Sequence, residues 1–185
     1  MTALVPTPGQ AVGPFFGYAL PFDGDNELVT RSHPSAVRLH GRVTDGHGRG
    51  VPDAMLELWQ AAPDGSVVQQ TGSLHRDGWT FTGWGRASTD ADGHYVFTTL
   101  RPGASQPGRA PFFALAVFAR GLLNRLFTRA YLPDDAEALA DDPLLTSLER
   151  ERRETLVCRP DDHGYAFDVR LQGDGETVFL RYPGQ

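Results

Sequence analysis

Val37, Leu39, Gly41 and Val43 alternate with Arg38, His40 and Arg42. A period of two turns one side of an extended chain to a core and the other to water, so this run predicts a half-buried strand. Met55, Leu56, Leu58 and Trp59 surround Glu57 in a second strand, more nearly buried on both faces. Tyr95, Phe97 and Thr99 alternate with Val96 and Thr98 in a third. Phe112–Phe118 is the most apolar run, short and preceded by Pro111, which predicts a central strand buried on both faces. Arg125–Tyr131, Tyr165–Leu171 and Thr177–Tyr182 complete the series of expected strands. Asp45-Gly46 and Asp92-Gly93 are expected to supply the positive φ of tight connections. Short strands punctuated by turns predict an all-β sandwich.

Helical signals are confined to the later part. Pro133-Asp-Asp opens a predicted short helix over Ala136–Ala140, with acidic residues at its N-terminal end. Leu144–Arg153 is expected to be helical or turn-like, and Glu149–Glu154 reads as a solvated charged face. Residues 1–36 read as an extended arm, followed by a sandwich domain over 37–185. Pro6, Pro8, Gly9, Gly13 and Pro14 oppose a helix there. Phe15, Phe16, Tyr18, Leu20 and Phe22 then give the arm too much apolar surface for a solvated tail. These rings pack either on the chain's own sandwich or across a partner, and the pattern leaves both open. Residues 60–84 form a long insert carrying Trp79, Phe81 and Trp84, part of which must fold back onto something apolar.

Composition adds limits. A chain of 185 residues suits one domain with enough buried surface to fold without disulfides. A net charge of −6 argues against nucleic acid as the main partner. Cys158 is the one cysteine, which excludes an intrachain disulfide and suits a reducing compartment. No apolar run is long enough to cross a bilayer, and the first residues lack a charged start and an apolar signal core. The expectation is a cytoplasmic protein.

Local motifs for chemistry are sparse. The six histidines make no His-x-His strand pair and no i, i+4 helical pair. His47, His94 and His163 adjoin glycines and read as turn residues, and His75 lies in the insert. Gly-x-Ser-x-Gly and phosphate-loop patterns are absent from the sequence. Cys158, after Leu156 and Val157, reads as a buried structural thiol. Arg109 and Arg120 flank the apolar strand. Either could hold a carboxylate in two hydrogen bonds or merely bound the strand in solvent.

Gly41-Arg-Val-Thr-Asp-Gly-His-Gly48, Leu56-Glu-Leu-Trp-Gln-Ala61 and Thr89-Asp-Ala-Asp-Gly-His-Tyr-Val-Phe97 resemble the intradiol ring-cleaving dioxygenases. Thr7–Phe15, Phe118-Ala-Arg-Gly121, Arg152–Leu156 and Gln172–Phe179 resemble the alpha-type subunit of the two-chain members that cleave 3,4-dihydroxybenzoate. The resemblance implies a β-sandwich in a family whose non-haem Fe(III) is held by two tyrosines and two histidines. Such a hard cation suits phenolates completed by imidazoles. Here the matching positions hold Val67, Ser105, Phe112 and Ala114, none able to ligate iron as the family does. The resemblance therefore implies an iron-free subunit in a hetero-oligomer with a homologous beta subunit that binds Fe(III). It implies a small aromatic substrate and O₂, with a pocket wall at the alpha–beta interface formed by Gly13, Pro14 and Arg120. Ala11 stands where family members often have threonine, and Arg109 matches the arginine that precedes the histidine pair. The alternative is a non-catalytic binding or carrier sandwich of transthyretin-like type, which the strand pattern alone does not exclude.

Overall fold

Two antiparallel-rich sheets face each other across an apolar core in a computed structural model that describes residues 13, 15–70, 76–77 and 79–182. The first sheet contains β1 (Ala36–Thr44), β4 (His94–Leu100), β7 (Arg159–Asp161), β8 (Gly164–Ala166) and β9 (Val169–Arg170). Its order is β4-β1-β8-β7, with β9 also pairing β1. The second contains β2 (Met55–Trp59), β3 (Trp84–Ser88), β5 (Phe112–Phe118) and β6 (Leu126–Tyr131), in the order β3-β2-β5-β6. Leu39, Val43, Tyr95 and Phe97 of the first sheet meet Leu56, Leu58, Phe113, Leu115 and Val117 of the second, as their alternation requires. The all-β sandwich expected from the pattern is the observed architecture.

A second cluster of Ala110, Tyr131, Leu145, Leu156 and Val178 lies under the helical segment. That segment consists of α2 (Ala136–Asp141), α3 (Pro143–Thr146) and α4 (Arg150–Glu154). Asp135 caps α2 by accepting from the Ala138 amide, and Asp142 caps α3 through the Leu144 and Leu145 amides. The last described residues, 177–182, do not extend a sheet. Their one bridge joins Leu180 to Phe127.

Several expectations need correction. β3 begins at the residue where the insert was expected to end, in a stretch for which no strand was expected. Trp84-Gly-Arg-Ala-Ser has little strand propensity, and tertiary packing decides its conformation. Leu28 packs directly over Gly85, where an added Cβ would have to push its methyl group aside, and Arg86 pairs with Glu57 of β2 at 2.6 Å. The single strand expected over Tyr165–Leu171 is two, because the Asp168 carboxylate takes the Arg42 amide at 3.0 Å and interrupts the ladder. Gly41 permits this arrangement: a Cβ there would overlap the Phe167 carbonyl. In the connection after β1 the positive φ belongs to Gly48, at 78°, and not to Gly46, whereas Gly93 takes it as expected.

The arm holds a one-turn helix, α1 (Phe16–Ala19), and does not stay extended throughout. Residues 1–12, Pro14 and His75 lie outside the described residues. No helix among the described residues is long and apolar enough to cross a membrane.

Candidate functional site

Strand β5 and two loops gather the positions singled out by the sequence. Phe112 and Ala114 are two residues apart on β5, so both lie on the outer face of their sheet. Val67 lies on the loop after β2 and Ser105 on the loop before β5, both exposed. The loops are tied together: the Gly103 amide donates to the Ala62 carbonyl at 3.0 Å, and Gly65 packs against Ala104. The fold thus brings the two loops beside each other and presents the β5 pair on one sheet face.

The chemistry around Phe112 does not suit a metal cation. The Arg129 guanidinium lies over the Phe112 ring, 4.2 Å from its centroid. Arg129 also donates to the Tyr131 hydroxyl at 3.1 Å, which donates in turn to the fully buried Asp142 at 3.2 Å. Burial pushes the Tyr131 phenol above its ordinary value, partly offset by Arg129. A protonated phenol and a guanidinium therefore stand beside two side chains with no donor atoms. Among the described residues no group of three or more His, Cys, Asp or Glu is arranged to hold a metal ion. The residues present do not fit the family's iron. Arg129, Tyr131 and Asp142 escape sequence reasoning because their connection depends on strand register, although Asp142-Pro143 carries the signature of a helix cap.

Arg120 follows the end of β5, where its Nε donates to Asp53 Oδ2 at 2.5 Å. Its side chain is 71% exposed, so the guanidinium is anchored at one edge and open at the other. The Gly13 carbonyl accepts from the Phe16 amide at 3.2 Å at the start of α1. No hydrogen bond joins Gly13 to Arg120. Arg109 is half-buried ahead of β5, its amide bonded to the Gln106 carbonyl.

Between Gly13 and β1 the arm is held down by cation–aromatic packing. Phe22 stacks on Trp84 with centroids 6.3 Å apart, and Arg76 and Arg86 each lie over the Trp84 ring. Arg76 donates to the Asp25 and Trp84 carbonyls at 3.0 and 2.9 Å, and Arg86 to the Leu20 carbonyl at 2.6 Å. Burial raises the Asp25 carboxyl above its ordinary value despite the nearby Phe22 amide and the two arginines. The arm's rings divide: Phe16 is buried and Phe22 packs on the sandwich, but Phe15 and Tyr18 are exposed, Tyr18 at 87%.

Comparison with known proteins resolves the family. The family model described as "Dioxygenase" matches residues 12–173. The chain belongs to the intradiol dioxygenase family. It is 39% identical to the protocatechuate 3,4-dioxygenase alpha chain of Burkholderia cepacia, covering 97% of this chain and 99% of that one. It is 32% identical to the beta chain from the same organism, over 87% of this chain and 76% of that one. Among solved structures, the dioxygenase domain of a carbohydrate-binding fusion protein from Streptomyces sp. SirexAA-E matches with a TM-score of 0.56 at 27% identity. That match covers 91% of this chain and 99% of the domain. An intradiol dioxygenase chain thus keeps the family's sandwich while its β5 positions carry Phe112 and Ala114.

Proposed function

We propose that this chain is the iron-free alpha subunit of a protocatechuate 3,4-dioxygenase. It would act in the cytoplasm with a homologous beta chain that holds the Fe(III). The reaction is O₂-dependent intradiol cleavage of 3,4-dihydroxybenzoate to 3-carboxy-cis,cis-muconate, a step of aromatic catabolism. The observation that carries this reading is the near end-to-end similarity to an alpha chain, combined with non-ligating Val67, Ser105, Phe112 and Ala114. Similarity over nearly the whole chain, arm included, favours an enzyme subunit over a carrier sandwich. Iron bound by the partner would supply the coordination of the catecholate and its activation towards O₂.

The contribution of this chain is to shape the pocket at the subunit interface. Gly13, with no side chain, would let the arm's backbone approach the site closely, and Pro14, the other expected wall residue, lies outside the described residues. Arg120 offers the substrate carboxylate the free edge of its guanidinium, while Asp53 fixes the other edge. Within the arm of residues 1–36, the exposed Phe15 and Tyr18 would supply the apolar contacts to the partner, while Phe22 and Leu28 anchor it on the chain's own sandwich.

The test is co-expression with the beta chain and measurement of oxygen uptake on 3,4-dihydroxybenzoate. The heteromer is expected to consume one O₂ per substrate, and either chain alone to be inactive or strongly impaired. Full activity of the beta chain alone, with no association in light scattering, would refute the assignment.

A further inference from the structure

A trough runs along the outer face of the β2-β5-β6 sheet, and nothing in the proposed catalytic role uses it. Register creates it. Glu57, Ala116 and Phe127 stand in one row across the three strands, and Trp59, Ala114 and Arg129 in the next. Two alanines on the central strand therefore leave a floor between tall side chains on the neighbouring strands. One wall is Trp59, 52% exposed and braced from behind by Trp84 at 6.0 Å between ring centroids. The opposite wall is Phe127, held edge-to-face by Tyr182 at 5.3 Å, with the Arg125 guanidinium 5.0 Å from its centroid. The opening measures about 470 Å³, within the ~300–1,000 Å³ usual for small-molecule sites.

Its charge selects the ligand. Glu57 is neutralised by Arg86 at 2.6 Å, whereas Arg125 pairs with no carboxylate among the described residues. The trough thus offers two aromatic walls, a flat floor and, at its Phe127 end, a cation without a carboxylate partner among the described residues. We propose that it is a second, non-catalytic binding site for a planar aromatic carboxylate. The ring lies between Trp59 and Phe127 over Ala114 and Ala116, and the carboxylate meets Arg125.

Calorimetric titration with 4-hydroxybenzoate, which lacks the second ring hydroxyl, tests this in the alpha–beta heteromer and in the full chain alone. Two molecules per alpha–beta pair, and one per isolated chain, are expected. Arg125→Gln removes the cation and Ala116→Leu fills the floor. Each should weaken the second site roughly tenfold or more, with protocatechuate turnover unchanged. The neutral 4-hydroxybenzyl alcohol should show the same loss. One molecule per pair, or affinity unaffected by both variants, would overturn the proposal. So would binding by the chain alone that vanishes in the heteromer, since the partner then covers the trough. If no heteromer forms, the functional assignment fails separately, and one molecule per isolated chain still supports the site while none overturns it.

Discussion

Cys158 lies 2% exposed beside the core, and burial pushes its thiol up to about 12. Tyr95, whose hydroxyl donates to the Phe167 carbonyl at 2.6 Å, is also raised well above its ordinary value by burial. Both groups lose their protons more readily in the unfolded chain, near pH ~8.5 for Cys and ~10 for Tyr. The folded state then binds more protons, so their contribution is fully present below those values and is lost as pH rises towards the folded values. Stability in denaturant titrations should therefore fall from about pH 9 to 12, and Cys158→Ala should flatten part of that slope. A disulfide exchange reagent at pH 8 should modify Cys158 only on unfolding, and reaction as fast as that of a free thiol would contradict its burial. Arg120 belongs to the same scale but to function. Arg120→Ala should weaken protocatechuate binding by about 1.5–3 kcal/mol, the range for hydrogen bonds to charged groups. Arg120→Lys should restore only part of this, since lysine lacks the planar fork. Equal slowing of catechol, which has no carboxylate, would make Arg120 a structural residue. Asp53→Asn should alter the arginine's positioning, with a smaller effect on KM than Arg120→Ala.

Elements differ in how far their own residues dictate them. β1, β2, β4 and β5 announce themselves by alternation or by an unbroken apolar run, because each buries a face in the core that its own side chains build. β3 and the break between β8 and β9 are set by partners distant in the chain: Leu28 over Gly85 and Asp168 on the Arg42 amide. No local pattern encodes such contacts. The candidate site divides in the same way. The non-ligating identities of Val67, Ser105, Phe112 and Ala114 are legible through family resemblance, while the Arg129–Tyr131–Asp142 chain requires the β5–β6 register. Gly41 connects both levels, since a strand pattern holding a glycine signals close backbone approach without naming the partner. Gly41→Ala should cost about 2–4 kcal/mol in denaturant unfolding, because the added Cβ overlaps the Phe167 carbonyl and must displace β8 or β9. Gly46→Ala meets only the flexible Gln172 side chain and should cost clearly less. Equal losses would show that the Phe167 contact does not constrain the sheet.

At the scale of the whole molecule, exposed apolar groups mark a chain built to associate. Phe15, Tyr18, Val67, Trp79 and Leu123 all stand open to solvent, and a net charge of −6 leaves apolar contact as the better source of attraction than charge neutralisation. An obligate interface typically buries on the order of 2,000 Å² or more. The central claim is that this chain completes an iron site it does not itself form. Iron content and visible absorption, recorded for the chain purified alone and for the alpha–beta heteromer, test it most directly. The account predicts a colourless chain without stoichiometric iron, and a heteromer with one Fe(III) per pair and a phenolate-to-iron charge-transfer band. A coloured chain carrying stoichiometric iron on its own would contradict it.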